Sequence, residues 1–163
     1  MVLTHHLKNT GTKIIRTNVY DHNLFVLDRQ PTGPDFKIKF PFDLSYDKNN
    51  MIGIGEDSIA SIHDREIVFN RMPADSTKKD HVYVPLSGYT QSAKDYDIKI
   101  ENAKTGAAMH ITSNRPMSHL AFWASTNIFS PEPYIEMQIK PGESFDWTIS
   151  YELYECNKTS LNH

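Results

Sequence analysis

Two short segments carry side chains able to move protons. The first is Tyr20-Asp21-His22-Asn23-Leu24-Phe25. It ends an alternating run in which Arg16, Asn18, Tyr20 and His22 fall on one side and Ile15, Thr17 and Val19 on the other, because successive strand side chains point to opposite faces. A face of Arg, Asn, Tyr and His suits a wet binding surface better than a core. It sets directional hydrogen-bond partners beside an aromatic ring, as a sugar requires. Its histidine can exchange a proton near neutral pH. The same residues also read as a plain turn, with Asp21 and Asn23 bonding nearby backbone and His22 merely exposed.

The second segment is Ser130-Pro131-Glu132-Pro133-Tyr134. Proline fixes its own φ and drives the preceding residue toward extended backbone. Glu132, between two prolines, is therefore held stiffly before any ligand arrives. A positioned carboxylate suits general base chemistry; a rigid surface turn with a solvated Glu132 accounts for the residues equally well. Beyond it, Glu132, Tyr134, Glu136 and Gln138 share a polar face, while Ile135, Met137 and Ile139 face the core. A third segment, Ser118-His119-Leu120-Ala121-Phe122-Trp123, offers an indole that can stack on a CH-rich sugar face, with His119 in phase. Large aromatics are more often core, and that reading is favoured locally for Phe122 and Trp123. With Arg16 and Arg115 as the nearby cations, phosphate recognition has little support.

Other chemistries lack their signatures. The chain has eight histidines, but none sits in a His-Glu-x-x-His spacing, and the single cysteine, Cys156, excludes a Cys-x-x-Cys pair. His5 and His6 are adjacent in a strand and point apart. Gly53-Ile54-Gly55 has no strand–helix unit around it, and no Gly-x-Ser-x-Gly elbow is present. No metal and no organic cofactor is expected. Asn157-Lys158-Thr159 is a formal glycosylation sequon in a polar tail.

These residues are carried by strands. Period-two alternation dominates, most strongly over 145–153 and 95–101. Further strands are expected over 2–8, 14–20, 36–42, 65–71, 81–85, 107–112, 119–124 and 134–139. Turn chemistry separates them at Asn9-Thr10-Gly11, Pro31-Thr32-Gly33-Pro34, Asn102 to Gly106, Asn114-Arg115-Pro116 and Pro141-Gly142. The one weak helical pattern covers 57–63. About ten short strands with regular turns predict an all-β sandwich, mostly antiparallel, as one domain over 1–155 with a polar tail at 156–163.

Composition agrees. Of 163 residues, 39% are hydrophobic and 23% charged, which is ordinary for a globular chain. A net charge of −3 with scattered Lys and Arg gives no basic stripe for nucleic acid and no polybasic membrane cluster. No apolar run approaches membrane-spanning length, and no signal peptide is seen, so a cytoplasmic setting is expected. The lone cysteine allows no intrachain disulfide and fits that setting.

Taken together, these segments resemble the aldose 1-epimerase, or galactose mutarotase-like, family, and within it the C-terminal portion of the fold. The stretch Leu3 to Lys13 is similar to a strand–turn of that family and leads into Thr17-Asn18-Val19-Tyr20-Asp21-His22-Asn23-Leu24-Phe25, similar to its histidine motif. Residues 112–124 resemble the strand before its catalytic glutamate, and Ser130-Pro131-Glu132-Pro133 the Glu-Pro segment that bears it. Ile139-Lys140-Pro141-Gly142-Glu143, followed by 147–154, is similar to its closing pattern. The match covers 3–28 and 107–154.

The resemblance implies the family's supersandwich fold and acid–base ring opening of an aldose. Glu132 would be the base and His22 the acid, with Asn18, Asn23, Trp123 and Tyr134 holding the sugar. The partner it implies is a small-molecule sugar. Asp21-His22-Asn23 also resembles a later sugar-binding aspartate segment of the family, but the Asn-Thr-Gly turn before it fits the histidine motif. The family's members are longer, and nothing here matches a second histidine and an arginine that they use on the sugar. A carbohydrate-binding domain without turnover is therefore the alternative, and a scaffold without a ligand a third reading. An upstream piece is expected from the way the chain opens in a strand. That first strand would be an exposed edge inviting a second copy, so a homodimer is also expected.

Overall fold

The computed structural model describes residues 1–74 and 80–157. Eleven strands form in the order β1 (Val2–Lys8), β2 (Ile15–Tyr20), β3 (Phe36–Lys39), β4 (Ala60–His63), β5 (Glu66–Phe69), β6 (Val82–Leu86), β7 (Asp97–Asn102), β8 (Ala107–Ser113), β9 (His119–Ala124), β10 (Phe129–Ile139) and β11 (Ser144–Glu155). They build a seven-stranded sheet, β1-β11-β8-β7-β3-β5-β4, and a four-stranded sheet, β2-β10-β9-β6. Every ladder is antiparallel. The predicted all-β sandwich is therefore the fold. No helix among the described residues is long and apolar enough to cross a membrane.

The alternation explains why the sheets stack. Ile98 and Ile100 of β7, Ile111 of β8 and Trp147, Ile149 and Tyr151 of β11 turn inward from the larger sheet. Val82 and Val84 of β6, Leu120 and Phe122 of β9 and Ile135, Met137 and Ile139 of β10 meet them from the smaller one. Phe36, Phe69, Phe122 and Phe129 interlock between the sheets, with Phe36 edge-on to Phe129 at 5.0 Å. Burial of these side chains, about 1.5–3 kcal/mol each, dominates the favourable side of folding. Among the described residues β1 is an edge strand paired with β11 alone.

The helical reading of 57–63 is wrong. Residues 60–63 form β4, joined to β5 by the two-residue turn Asp64-Arg65. Asp64 takes a φ of 47°, a left-handed conformation that aspartate tolerates. Paired with β5, four residues gain a ladder that an isolated turn of helix cannot match. β10 also begins five residues earlier than the 134–139 pattern indicates, because Pro131 and Pro133 mask its first half. The tail at 156–163 and the sequon beginning at Asn157 lie mostly outside the described residues.

Candidate functional site

The site grows from one register. Tyr20 lies opposite Tyr134 at the end of β2, and Phe25 bridges to Phe129 with the same offset. His22 therefore falls opposite Glu132, and Leu24 opposite Ser130. The ladder itself lapses between Tyr20 and Phe25, for a covalent reason. Phe25 donates its backbone N–H to the Phe129 carbonyl at 2.9 Å, so odd-numbered residues of β10 address β2. Pro131 and Pro133 belong to that set and have no N–H to give. Their neighbour β9 is unaffected, and it pairs with β10 without a gap from Phe129 to Tyr134.

The freed stretch is held by a side chain instead. Asn23 Nδ2 donates to the Pro131 carbonyl at 3.1 Å, replacing a ladder bond. Its Oδ1 accepts from the Tyr151 hydroxyl of the opposite sheet at 2.6 Å. The Leu24 N–H donates to the His22 carbonyl at 2.9 Å, closing a three-residue turn. This turn lifts His22 clear of the sheet, where its side chain is 55% exposed.

His22 Nε2 lies 3.3 Å from Glu132 Oε1. The Glu132 side chain is only 11% exposed. Burial pushes its carboxyl above the usual range, while His22 and His119 act in the opposite sense. Four rings frame the carboxylate in an unbroken arc. His22 meets the edge of Tyr20 at 4.8 Å, Tyr20 stacks on Tyr134 at 4.2 Å, and Tyr134 meets His119 at 5.0 Å. Tyr134 is pushed up to about 12, by burial first and then by Tyr20 and Glu132, so its hydroxyl stays a neutral donor. Beside Glu132 the neighbouring strands present only Ala121 and Pro85. That low floor adjoins a pair in which His22 is exposed and Glu132 is buried.

The structure thus brings together His22, Glu132 and Tyr134 of the sequence-predicted residues. Trp123 is half-buried on the same outer face, opposite Ser130 and one row from Glu132, while Phe122 points into the core. Asn23 does not reach the face. It is buried and both ends of its amide are engaged, so it holds the site together rather than contacting a ligand. Asn18 is on the correct face but lies opposite Glu136, about 13 Å along the strand from Glu132. Tyr20, in phase with His22 in the sequence, and His119 complete the ring arc. Among the described residues no cluster of three or more His, Cys, Asp or Glu side chains could hold a metal. Surface clefts elsewhere are lined by Met1, Met109, Tyr151 and Leu153, and by Gln91, Arg115 and Glu136. His22 and Glu132 line neither of these; they lie on the outer face of the four-stranded sheet.

No family model and no curated protein matches the sequence. Solved structures do match the fold. A candidate aldose 1-epimerase of Escherichia coli superposes with a TM-score of 0.61 at 15% identity, covering 95% of this chain and 56% of that chain. A galactose mutarotase-like protein of Clostridium acetobutylicum gives 0.59 at 12% identity, covering 95% and 52%. The galactose mutarotase related enzyme of Lactobacillus acidophilus gives 0.56 at 15% identity, covering 98% and 60%. The fold is therefore galactose mutarotase-like, and the chain spans little more than half the length of these three structures.

Proposed function

We propose that this chain binds an aldose through the open face of its four-stranded sheet and interconverts the sugar's anomers. The observation that supports this reading is the 3.3 Å approach of His22 Nε2 to Glu132 Oε1 inside a ring of aromatic side chains. The Glu132 carboxylate takes the proton of the anomeric hydroxyl. Protonated His22 gives its proton to the ring oxygen as the bond from that oxygen to the anomeric carbon breaks. The product is the open-chain aldehyde. Rotation about the next carbon–carbon bond and the reverse transfers close the ring on the other face. A carboxyl raised by burial is a stronger base nearer neutral pH than a solvated one, which is what this step needs. Tyr134 and Tyr20 supply the stacking surface and a hydroxyl donor.

A second reading, sugar binding without turnover, is favoured by one feature. The face is open and His22 is 55% exposed, whereas acid–base and electrostatic catalysis gain most where water is excluded. The two readings separate by NMR exchange between the α and β anomers of glucose and galactose. Exchange accelerated by the wild-type protein, and reduced by about 10²–10⁴-fold in both His22→Ala and Glu132→Ala, is the expected result. Sugar contact without acceleration establishes the binding domain. Silence in both measurements overturns both.

A further inference from the structure

The row next to the acid–base pair has a character of its own. Strand register places Leu24, Ser130, Trp123 and Tyr83 side by side across the outer face. Ile52 extends the row, exchanging both backbone hydrogen bonds with Tyr83 at 2.7 and 3.0 Å. Gly53 makes this approach feasible: at its φ of 72°, a side-chain carbon would stand 2.5 Å from the His81 carbonyl oxygen. Five neighbouring positions at strand spacing span about 19 Å. Four of them are apolar or aromatic, and the outer two are unusually open, Leu24 at 54% and Ile52 at 45% exposure. Between Leu24 and Trp123 lies Ser130, fully buried, its hydroxyl without a hydrogen-bond partner. A solvated sheet face normally places polar side chains here.

We propose that this row is a second-sugar platform: the pyranose adjoining the reacting ring of a reducing disaccharide or longer glycan stacks on Trp123 and Tyr83, flanked by Leu24 and Ile52. This rests on the acid–base reading of His22 and Glu132, and it names a glycan with a reducing end as preferred over a free hexose. Three observations converge on it. The row lies two strand positions from Glu132, about 7 Å, immediately beside the place of the reacting ring. It is the next outward row after that of Glu132, Ala121 and Pro85, so small side chains adjoin it on that side. It sets two half-buried aromatic side chains, Trp123 and Tyr83, side by side, and aromatic rings pack on the CH faces of a pyranose. The first row, Tyr20, Tyr134 and His119, then serves the reacting ring, and Trp123 passes to its neighbour.

The test compares affinities of lactose and maltose with those of galactose and glucose by NMR titration of the whole chain, alongside anomer exchange. Disaccharides are expected to bind about tenfold more tightly than the monosaccharides. That ratio falls toward one in Trp123→Ala and Tyr83→Ala. Ile52→Asp, at an exposed side chain that the core does not need, gives the same fall if either aromatic variant fails to fold. Equal affinities in the wild type, or a ratio unchanged in Ile52→Asp and in the folded aromatic variants, overturn the platform. Anomer exchange without a disaccharide preference overturns the platform and leaves the acid–base reading standing. A preference without exchange supports the platform and removes the acid–base reading.

Discussion

The outer faces of the two sheets are built from the same strand alternation and end up chemically opposite. On the seven-stranded sheet, charges meet charges. Lys39 Nζ lies 2.8 Å from Glu101 Oε2, Lys37 Nζ 3.6 Å from Glu66, and His110 Nε2 2.9 Å from Asp97. On the four-stranded sheet, a carboxylate is buried among rings with a half-exposed imidazole for company, and a serine hydroxyl is buried with no partner. A face that satisfies its own polar groups keeps a protein soluble. A face that leaves them unsatisfied among aromatics has spare capacity to bind something else.

Substitutions can break that contrast. The largest effect is expected for His22→Ala and Glu132→Ala, each of which should slow anomer exchange by about 10²–10⁴-fold. Next comes Asn23→Ala. It strands the buried Tyr151 hydroxyl and removes the bond that replaces the missing proline donors, and should destabilise the fold by about 2–3 kcal/mol in chemical denaturation. It should also slow exchange, because His22 loses its register with Glu132. Full stability in this variant would show that the site does not depend on that bridge.

Acidity sharpens the contrast further. Burial raises the Glu132 carboxyl, so the folded state holds its proton to higher pH than the unfolded chain does. The folded state is therefore favoured by this group below the unfolded value of about 4.3, and the advantage is lost as pH rises through the folded value. Glu132→Gln should be at least as stable as wild type at neutral pH, measured by urea midpoint, while inactive. The acid limb of the exchange rate should lie above the ordinary carboxylate range. A limb at the ordinary value would remove burial as the source of basicity.

The smallest effect is expected on the opposite face. Lys39→Met breaks the Lys39–Glu101 pair but leaves a partly exposed site, and should cost no more than about 1 kcal/mol. Sugar titrations should be unchanged. A variant there that weakens sugar binding would erase the distinction between the two faces.

Much of this was legible along the chain. Alternation placed ten of the eleven strands, and it assigned the faces of β10 correctly, with Glu132 and Tyr134 outward and Ile135 and Met137 inward. The fourth strand was not legible, since residues 57–63 also fit a short helical pattern and β4 exists through its hairpin with β5. Asn23 misled because an asparagine beside a histidine looks the same whether its amide faces a ligand or a backbone carbonyl. Only the lapse in the β2–β10 ladder shows which it does. The Tyr83 and Ile52 side of the second row was equally hidden, since it belongs to segments remote from both motifs.

The local facts were determined by the sequence alone: strand periodicity, the stiffness that two prolines impose on Glu132, and the side of each strand that every residue occupies. These follow from covalent geometry, which acts within a few residues. Pairing was decided by the tertiary structure. His22 and Glu132 are separated by more than a hundred residues, and they face each other because β2 and β10 share one offset on both sides of the ladder gap. Register of that kind is selected by which inward faces pack into a common core, a property of the whole sandwich rather than of any segment.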